Sequence, residues 1–392
     1  NIVLPTHLRT NTIFKYVFGV LINHPNFNII KMRGEVAAVK FNISVKVNEY
    51  TEQERLLVRA DGYLPYSGAF WGAYSYCCGL QVNNGLEFTA MDNIMHYNLQ
   101  VGKFNSLGEG IECMFGRNHN YKSISTGAVE LLLNSRDVPK GNDLIRFNQK
   151  GSIVIQNDVW LGDNVSLMPG IIIRNGAVIA KNSHVVSDVP PFAIVGGNPA
   201  RVIGYRFQKE QIDMLQTISW WDWDVQRIVD NASYFTEDIG RFCDAFYDGA
   251  KLELDKYMCG REDLYDTYFA FVDYYDNYCS FLFILKSFLD QYGNADYKKL
   301  IFFVQDLPGT EIDPKAYDGL IEITKKINNN PEIKCMVDVC RGTLETARDS
   351  FLQCSHYIIS RTYDTVYFSC LADKLGIDII SGTDSVIQFE GR

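Results

Sequence analysis

The 392-residue chain is short of several features that would each point to a class of protein. It contains no apolar run of roughly 18 residues or more, the length a helix needs to cross a bilayer, so no membrane span is expected. The first residues, "NIVLPTHLRTNTIFKYVFGVLINH", lack the basic, apolar and small-residue order of a secretory leader. Residues 13–24 are accordingly expected to form a short buried helix, and the protein to work in the cytoplasm. Ten cysteines occur without a CxxC pair, and none of the six histidines stands at metal-ligand spacing from them. They are read as reduced thiols, and no metal site is expected. Basic surplus is also missing: a net charge of −10 excludes a nucleic-acid polyanion as the main partner. What remains is ordinary for a globular protein of two or three compact units, 47% hydrophobic and 21% charged, with a surplus of aromatic residues at 13%. That surplus is read first as core and interface packing.

The strongest internal signal is a period of six. Ile155, Leu161, Leu167, Ile173, Ile179 and Val185 are all aliphatic, and Val159, Val165, Ile171, Ala177 and Ser183, four positions further on, are all small or β-branched. One large and one small inward residue per hexad is the pattern of a parallel β-helix with three flat faces, one hexad to a face. Gly162-Asp163, Pro169-Gly170 and Asn175-Gly176 supply corners between inward positions. The same register appears upstream at Val101, Leu107 and Cys113, so the repeat is interrupted before Ile153 by an insertion about two coils long. Long excursions from a regular solenoid are usually functional or disordered. This one carries His119, in "ECMFGRNHNYKSISTG". Alone, an isolated histidine is more often a surface residue than a chemical centre.

Four pieces in fixed order, "VGKFNSLGEGIE", "GRNHNY", "IQNDVWLGDNVSLMPGIIIRNGAVIAKNSHVVSDVPPFAIVGGNPARVIGYRF" and "ISWWDWDVQRI", make residues 70–233 resemble the hexapeptide-repeat acyltransferases. The likeness is to the xenobiotic branch, which takes in streptogramin and chloramphenicol O-acetyltransferases. It implies a left-handed parallel β-helix, a homotrimer, and acetyl-CoA and acceptor bound between neighbouring subunits. It also implies that the histidine of the excursion loop, here His119, is the general base of direct transfer. An imidazole with a pKa near 6.5 can take the hydroxyl proton and return one to the departing thiolate. His96 lies close enough in sequence to be a weaker second candidate, and His184, beside an inward position, is expected to face outward.

For acetyl-CoA, Trp160 offers an indole face, since Val159 and Leu161 on either side already hold inward positions. The resemblance also assigns CoA contacts to Lys181 and Ser187, and to Asn198, Pro199 and Arg201 of "GGNPARV". In that stretch glycine and proline allow close backbone approach, and Arg201 suits a CoA phosphate. Ser187 departs from the basic residue found in relatives. Tyr74, Tyr76 and Asn118 match regions that line the acceptor pocket.

The flanks go beyond the family. Residues 1–69 are expected to be a small β-rich extension, because Phe41, Ile43, Val45 and Val47 alternate with polar neighbours. Residues 70–233 are expected to be the β-helix domain, with the catalytic loop at 114–150 and a closing helix. Residues 234–392 are read as a helical linker and an α/β domain of unknown role. In this last region "KKLIFFVQ", "IKCMVDVC", "SHYIISR" and "GIDIISG" are strands of a small open sheet, which weakly resembles the nucleotide-sugar half of two-domain glycosyltransferases. The aromatic stretch 261–293 is expected to be helical and to pack between domains. No GxGxxG or P-loop is present. The fold class expected is mainly β with an α/β appendage. The function expected is acetyl transfer to a hydroxyl of a bacterial surface saccharide, from a capsule or lipopolysaccharide. A streptogramin- or chloramphenicol-like antibiotic acetyltransferase and a non-catalytic trimeric scaffold are the alternatives.

Overall fold

The computed structural model describes residues 39–45, 55–59, 67–84, 99–115, 124–125, 151–258, 265–272, 280–306, 314–360, 362 and 364–381. Strands β1 (Val39–Val45) and β2 (Arg55–Arg59) come first. They pair antiparallel with β4 (Tyr76–Asn84) and β3 (Ser67–Gly72), respectively, and so cover the outer edge of the first coil. The expected helix at 13–24 lies outside the described residues.

From β3 onward the chain winds. Two coils run through β5 (Leu99–Val101), β6 (Ser106–Leu107) and β7 (Ile111–Met114), then β8 (Ile153–Ile155), β9 (Trp160–Leu161) and β10 (Ser166–Leu167). The next follows through β11 (Ile172–Ile173), β12 (Val178–Ile179) and β13 (His184–Val185), and the winding ends in a hairpin of β14 (Ala193–Gly197) and β15 (Ala200–Tyr205). Parallel pairing sorts the strands into three faces. The first holds β3, β5, β8 and β11, and the second the start of β4 with β6, β9, β12 and β14. The third holds the end of β4 with β7, β10 and β13.

The hexad arithmetic explains why two-residue strands suffice. Leu161, Leu167 and Ile173 are 0% exposed, and Ile179 and Val185 are 1% exposed. Each strand therefore puts one side chain into a shared core while its backbone bonds to the next coil, as in Trp160 N–H to the Ala177 carbonyl at 2.9 Å. Emptying such a position, for example Ile173→Ala, removes buried volume that a rigid coil cannot refill, a loss of about 2–5 kcal/mol.

The corners turn through φ > 0, a conformation that Asn and Asp adopt readily and aromatic residues only rarely. Tyr74, Phe104, Asp158 and Phe192 take that conformation at the edge between first and second faces, and Asn164 and Asn182 at the edge between second and third. Gly176, at φ +70°, has the Phe192 ring beneath it, where a Cβ would sit 2.3 Å from a ring carbon. Side chains then staple the coils. Asn157 and Asn175, 18 residues and one coil apart, meet at 3.1 Å. The Lys103 N–H donates to Asn157 Oδ1 at 2.8 Å across 54 residues. That larger separation is three coils in sequence but one in space, so the excursion adds two coils' worth of chain. Both interruptions, after Asn84 and after Phe115, leave from the edge between the third and first faces.

After the hairpin come α1 (Lys209–Ile218), α2 (Val225–Asp230) and α3 (Ile239–Met258). Ile212, Leu215 and Trp221 pack with Phe192 of the coil and Phe242 of α3 in one aromatic-rich cluster.

The remainder is an α/β sheet of β16 (Asp266–Phe271), β17 (Lys298–Gln305), β18 (Met336–Gly342), β19 (His356–Ile358) and β20 (Asp378–Ile380). Its helices are α4 (Ser280–Tyr292), α5 (Pro314–Asn328), α6 (Leu344–Phe351) and α7 (Thr365–Leu375). All pairings are parallel, in the order β18-β17-β16-β19-β20. The stretch 261–293, expected to be helical throughout, instead supplies the central strand β16 before α4. Its sequence DTYFAF is buried on both faces, so it shows none of the alternation that marks a half-buried strand.

This sheet is docked on the first face of the coil. Val154 and Ile172, which point outward from that face, are buried with Phe351, Phe368 and Ala372. Around them Asp373 accepts from Arg174 Nε at 2.8 Å and from Gln156 Nε2 at 2.8 Å. The first face is thereby covered.

Candidate active site

The second face carries an apolar strip. Register aligns Tyr76, Ser106, Trp160, Val178 and Ile194 across successive coils, all on the outward side. Trp160 is 58% exposed while Val159 and Leu161 beside it are buried, so the indole lies on the surface of a rigid strand. Val202, Ile203 and Tyr205 of β15 are exposed next to this face. Large apolar side chains gathered in this way mark a ligand or partner surface rather than a solvated one.

The edge between second and third faces borders the strip. Gly162, Ala180 and Gly196 follow the inward residues Leu161, Ile179 and Val195, which are paired in register. Gly162 is needed because a Cβ there would meet the Lys181 backbone nitrogen at 2.7 Å. Lys181 reaches one coil back along this edge to Asp163 Oδ2 at 3.2 Å, and Asp163 Oδ1 accepts from the Glu109 N–H at 3.1 Å. That backbone N–H first, and the Lys181 ammonium second, hold the Asp163 carboxyl below its usual range. The Lys181 pair is exposed and contributes little to stability. Its ammonium can therefore exchange Asp163 for an anionic ligand group at small cost.

One coil further along the same edge stands the hairpin tip. Gly197 has φ +98°, the Asn198-Pro199 peptide is cis, and both of those residues are exposed. Arg201 is exposed as well, with Nη1 donating to the Ala200 carbonyl at 2.8 Å.

Five of the six residues assigned to acetyl-CoA, Trp160, Lys181, Asn198, Pro199 and Arg201, thus stand on one face and its adjoining edge. Ser187 does not join them. It is exposed on the edge between third and first faces, the edge from which the excursion departs. Tyr76 lies half-buried in the Trp160 row, whereas Tyr74 sits at the first-to-second edge with its ring stacked 5.0 Å from Phe104. His119, Asn118 and His96 lie outside the described residues. His184 is half-buried, on the outward side of β13. Asp163, which orients Lys181, carried no functional signal in the sequence because its Gly-Asp pair reads as a turn.

No family model matches the chain. A protein of Lysinibacillus sphaericus provisionally named a macrolide acetyltransferase is 40% identical over 157 residues, 38% of this chain and 86% of the relative. A chloramphenicol acetyltransferase of Klebsiella aerogenes is 34% identical over 163 residues, 40% of this chain and 77% of the relative. An Escherichia coli protein provisionally named a lipopolysaccharide biosynthesis O-acetyl transferase is 26% identical over 132 residues, 34% of this chain and 60% of the relative.

Proposed function

The chain belongs to the hexapeptide-repeat acyltransferases, in the branch of the macrolide and chloramphenicol acetyltransferases, and from that membership we propose that it transfers acetyl from acetyl-CoA to a hydroxyl of a saccharide. The observation that carries the reading is the strip on the second face. An exposed indole on a rigid strand, a displaceable lysine and an arginine beside a glycine-containing hairpin tip fit a long thin ligand with an apolar arm and phosphates. Acetyl-CoA supplies the thioester. Trp160 packs against the pantetheine arm, and Lys181 and Arg201 take the phosphates, with Asn198 and Pro199 shaping the backbone around them. Ser187 belongs to this set through the resemblance alone.

His119 removes the proton of the acceptor hydroxyl as its oxygen attacks the thioester carbonyl, and hands a proton to the departing thiolate. No acyl-enzyme intervenes. The excursion that bears His119 leaves from one edge of the coil, while the strip borders another. A neighbouring copy that brings the two edges together would complete the site, which supports a homotrimer, with Tyr74, Tyr76 and Asn118 facing the acceptor; the left-handed winding of the coils rests on the family resemblance alone. The covered first face leaves the second and third for such contacts.

A bacterial surface saccharide is favoured as acceptor by the two extra flanks, which a drug-sized acceptor would not require, and by the lipopolysaccharide relative. The names of the two more similar relatives favour an antibiotic, which is the second reading. The protein is read as cytoplasmic; among the described residues no helix is long and apolar enough to cross a membrane. Release of free CoA thiol against panels of saccharides and of antibiotics tests all of this. Turnover with a saccharide is expected, turnover with antibiotics alone would move the reading to the second, and none with either would reject it.

A further inference from the structure

A cavity of about 610 Å3 opens where the coil, its closing helices and the α/β sheet meet. It lies at the first-to-second edge, lined there by Gly72, Lys103 and Asn157, away from the edge that holds Lys181 and the hairpin tip. Its size suits a ligand of one or two rings.

Four cationic side chains, Lys103, Arg227, Arg348 and Lys374, face three carboxylates, Asp222, Glu253 and Asp364. The carboxylates are partly committed. Asp222 pairs with Lys103 at 3.7 Å, and Asp364 accepts from the Gln305 side-chain amide. The cations are incompletely served. Arg348 Nε is buried with no hydrogen-bond partner among the described residues, its guanidinium 5.0 Å above the Tyr257 ring. Lys374 Nζ donates to the Thr217 carbonyl at 2.7 Å and lies 3.5 Å from Ser219 Oγ, leaving a third N–H for the cavity. Arg348 and Lys374 are both half-buried, and a buried donor atom left without an acceptor, as Arg348 Nε is, costs free energy that a bound anion would relieve. Tyr257, Tyr367 and Trp223 add aromatic walls suited to a ring.

The sheet contributes independently. Counted along the chain, its strand order is 3-2-1-4-5, reversing between β16 and β19. Sheets of this kind bind ligands outside the carboxyl ends of their strands near that reversal. At those ends Gln305 Oε1 and Ser360 Oγ are buried without partners among the described residues, beside Asp364. Leu344 and Asp364, which begin α6 and precede α7, carry this end of the sheet into the cavity wall.

We propose that the cavity is a second ligand site for a sugar phosphate, free or as part of a nucleotide. Arg348 and Lys374 hold the phosphate, the aromatic walls take the ring, and Glu253 accepts from sugar hydroxyls. The site does not depend on the acetyl-transfer reading.

Trp71 and Trp223 line the cavity, so tryptophan emission of the full chain reports its occupancy. Titration with glucose 1-phosphate and with UDP is expected to saturate at one per chain for at least one of them, and the tighter of the two identifies the source. Arg348→Gln, with its circular dichroism unchanged, should weaken that binding about 10- to 100-fold while leaving acetyl-CoA binding intact. Should that variant misfold, Lys103→Met is the second test, with a smaller loss expected in the same direction. No saturable change with either ester overturns the proposal, as does equal binding by the variants. Inorganic phosphate binding as tightly as the esters, or glucose binding as tightly, would also overturn it.

Discussion

Replacing Asn157 by alanine should destabilise the protein by about 2–4 kcal/mol, because one buried side chain ties three coils together. Asn157 is 4% exposed. Its Oδ1 accepts from the Lys103 N–H at 2.8 Å in the coil before it. Its Nδ2 donates to Asn175 Oδ1 at 3.1 Å in the coil after it. Alanine leaves the Lys103 N–H without an acceptor, which costs about 1–3 kcal/mol, with the lower half applying because Lys103 is only half-buried. Asn175 Oδ1 keeps the backbone N–H of residue 157 at 3.0 Å, so the second bond contributes only about 0.5–1.5 kcal/mol. The small void left by the amide adds the rest. Urea unfolding followed by far-ultraviolet circular dichroism reads the loss as a lower midpoint at unchanged slope. A change smaller than about 0.5 kcal/mol, the scatter of an ordinary surface substitution, would refute the stapling of coils by this ladder.

Asp373→Ala strips Arg174 and Gln156 of their shared acceptor between coil and sheet. With both partners about one-fifth exposed or less, a loss of about 2–3 kcal/mol is expected. Limited proteolysis should then cut the chain faster between the two units, and an unchanged cleavage rate would count against the docking. Asp222 is walled by protein although its carboxyl opens to the cavity, and burial pushes its pKa up from 3.8 against the pull of Lys103 and Lys374. The folded chain then holds this proton more tightly than the unfolded chain, so Asp222 should lower stability as pH rises from the ordinary carboxylate value through the raised one. Asp222→Asn should flatten that slope, and identical slopes of unfolding free energy against pH would contradict the shift. Trp160→Ala should raise KM for acetyl-CoA about 10-fold, the loss of one aromatic face, with stability unchanged because the indole packs into no core. An unaltered KM would remove Trp160 from the site.

The coil was legible because its rule is local. One aliphatic side chain every six residues must point inward, and Ile155 to Val185 meet that rule at near-zero exposure. The same reasoning placed Trp160 outward by elimination. It could not show that Val154 and Ile172, apolar residues on the outward side of the first face, are covered by α6 and α7, since their partners lie some 200 positions away, as Gln156 and Ser369 are separated by 213. It misplaced β16 for a related reason: a strand buried on both faces is apolar throughout, and aromatic density there looks like a helix face. The cavity was invisible in sequence because Lys103, Asp222, Arg348 and Lys374 come from four separate elements. Asp222 lies in "WWDWD", which in the sequence serves only as a family signature.

His119 is proposed as the base of direct acetyl transfer on this scaffold. Steady-state release of CoA thiol by His119→Ala, with acetyl-CoA affinity measured on the same protein, tests it most directly. Turnover should fall by about 10²- to 10⁴-fold with acetyl-CoA binding and oligomeric state unchanged. Turnover within a few-fold of the unaltered protein would contradict it.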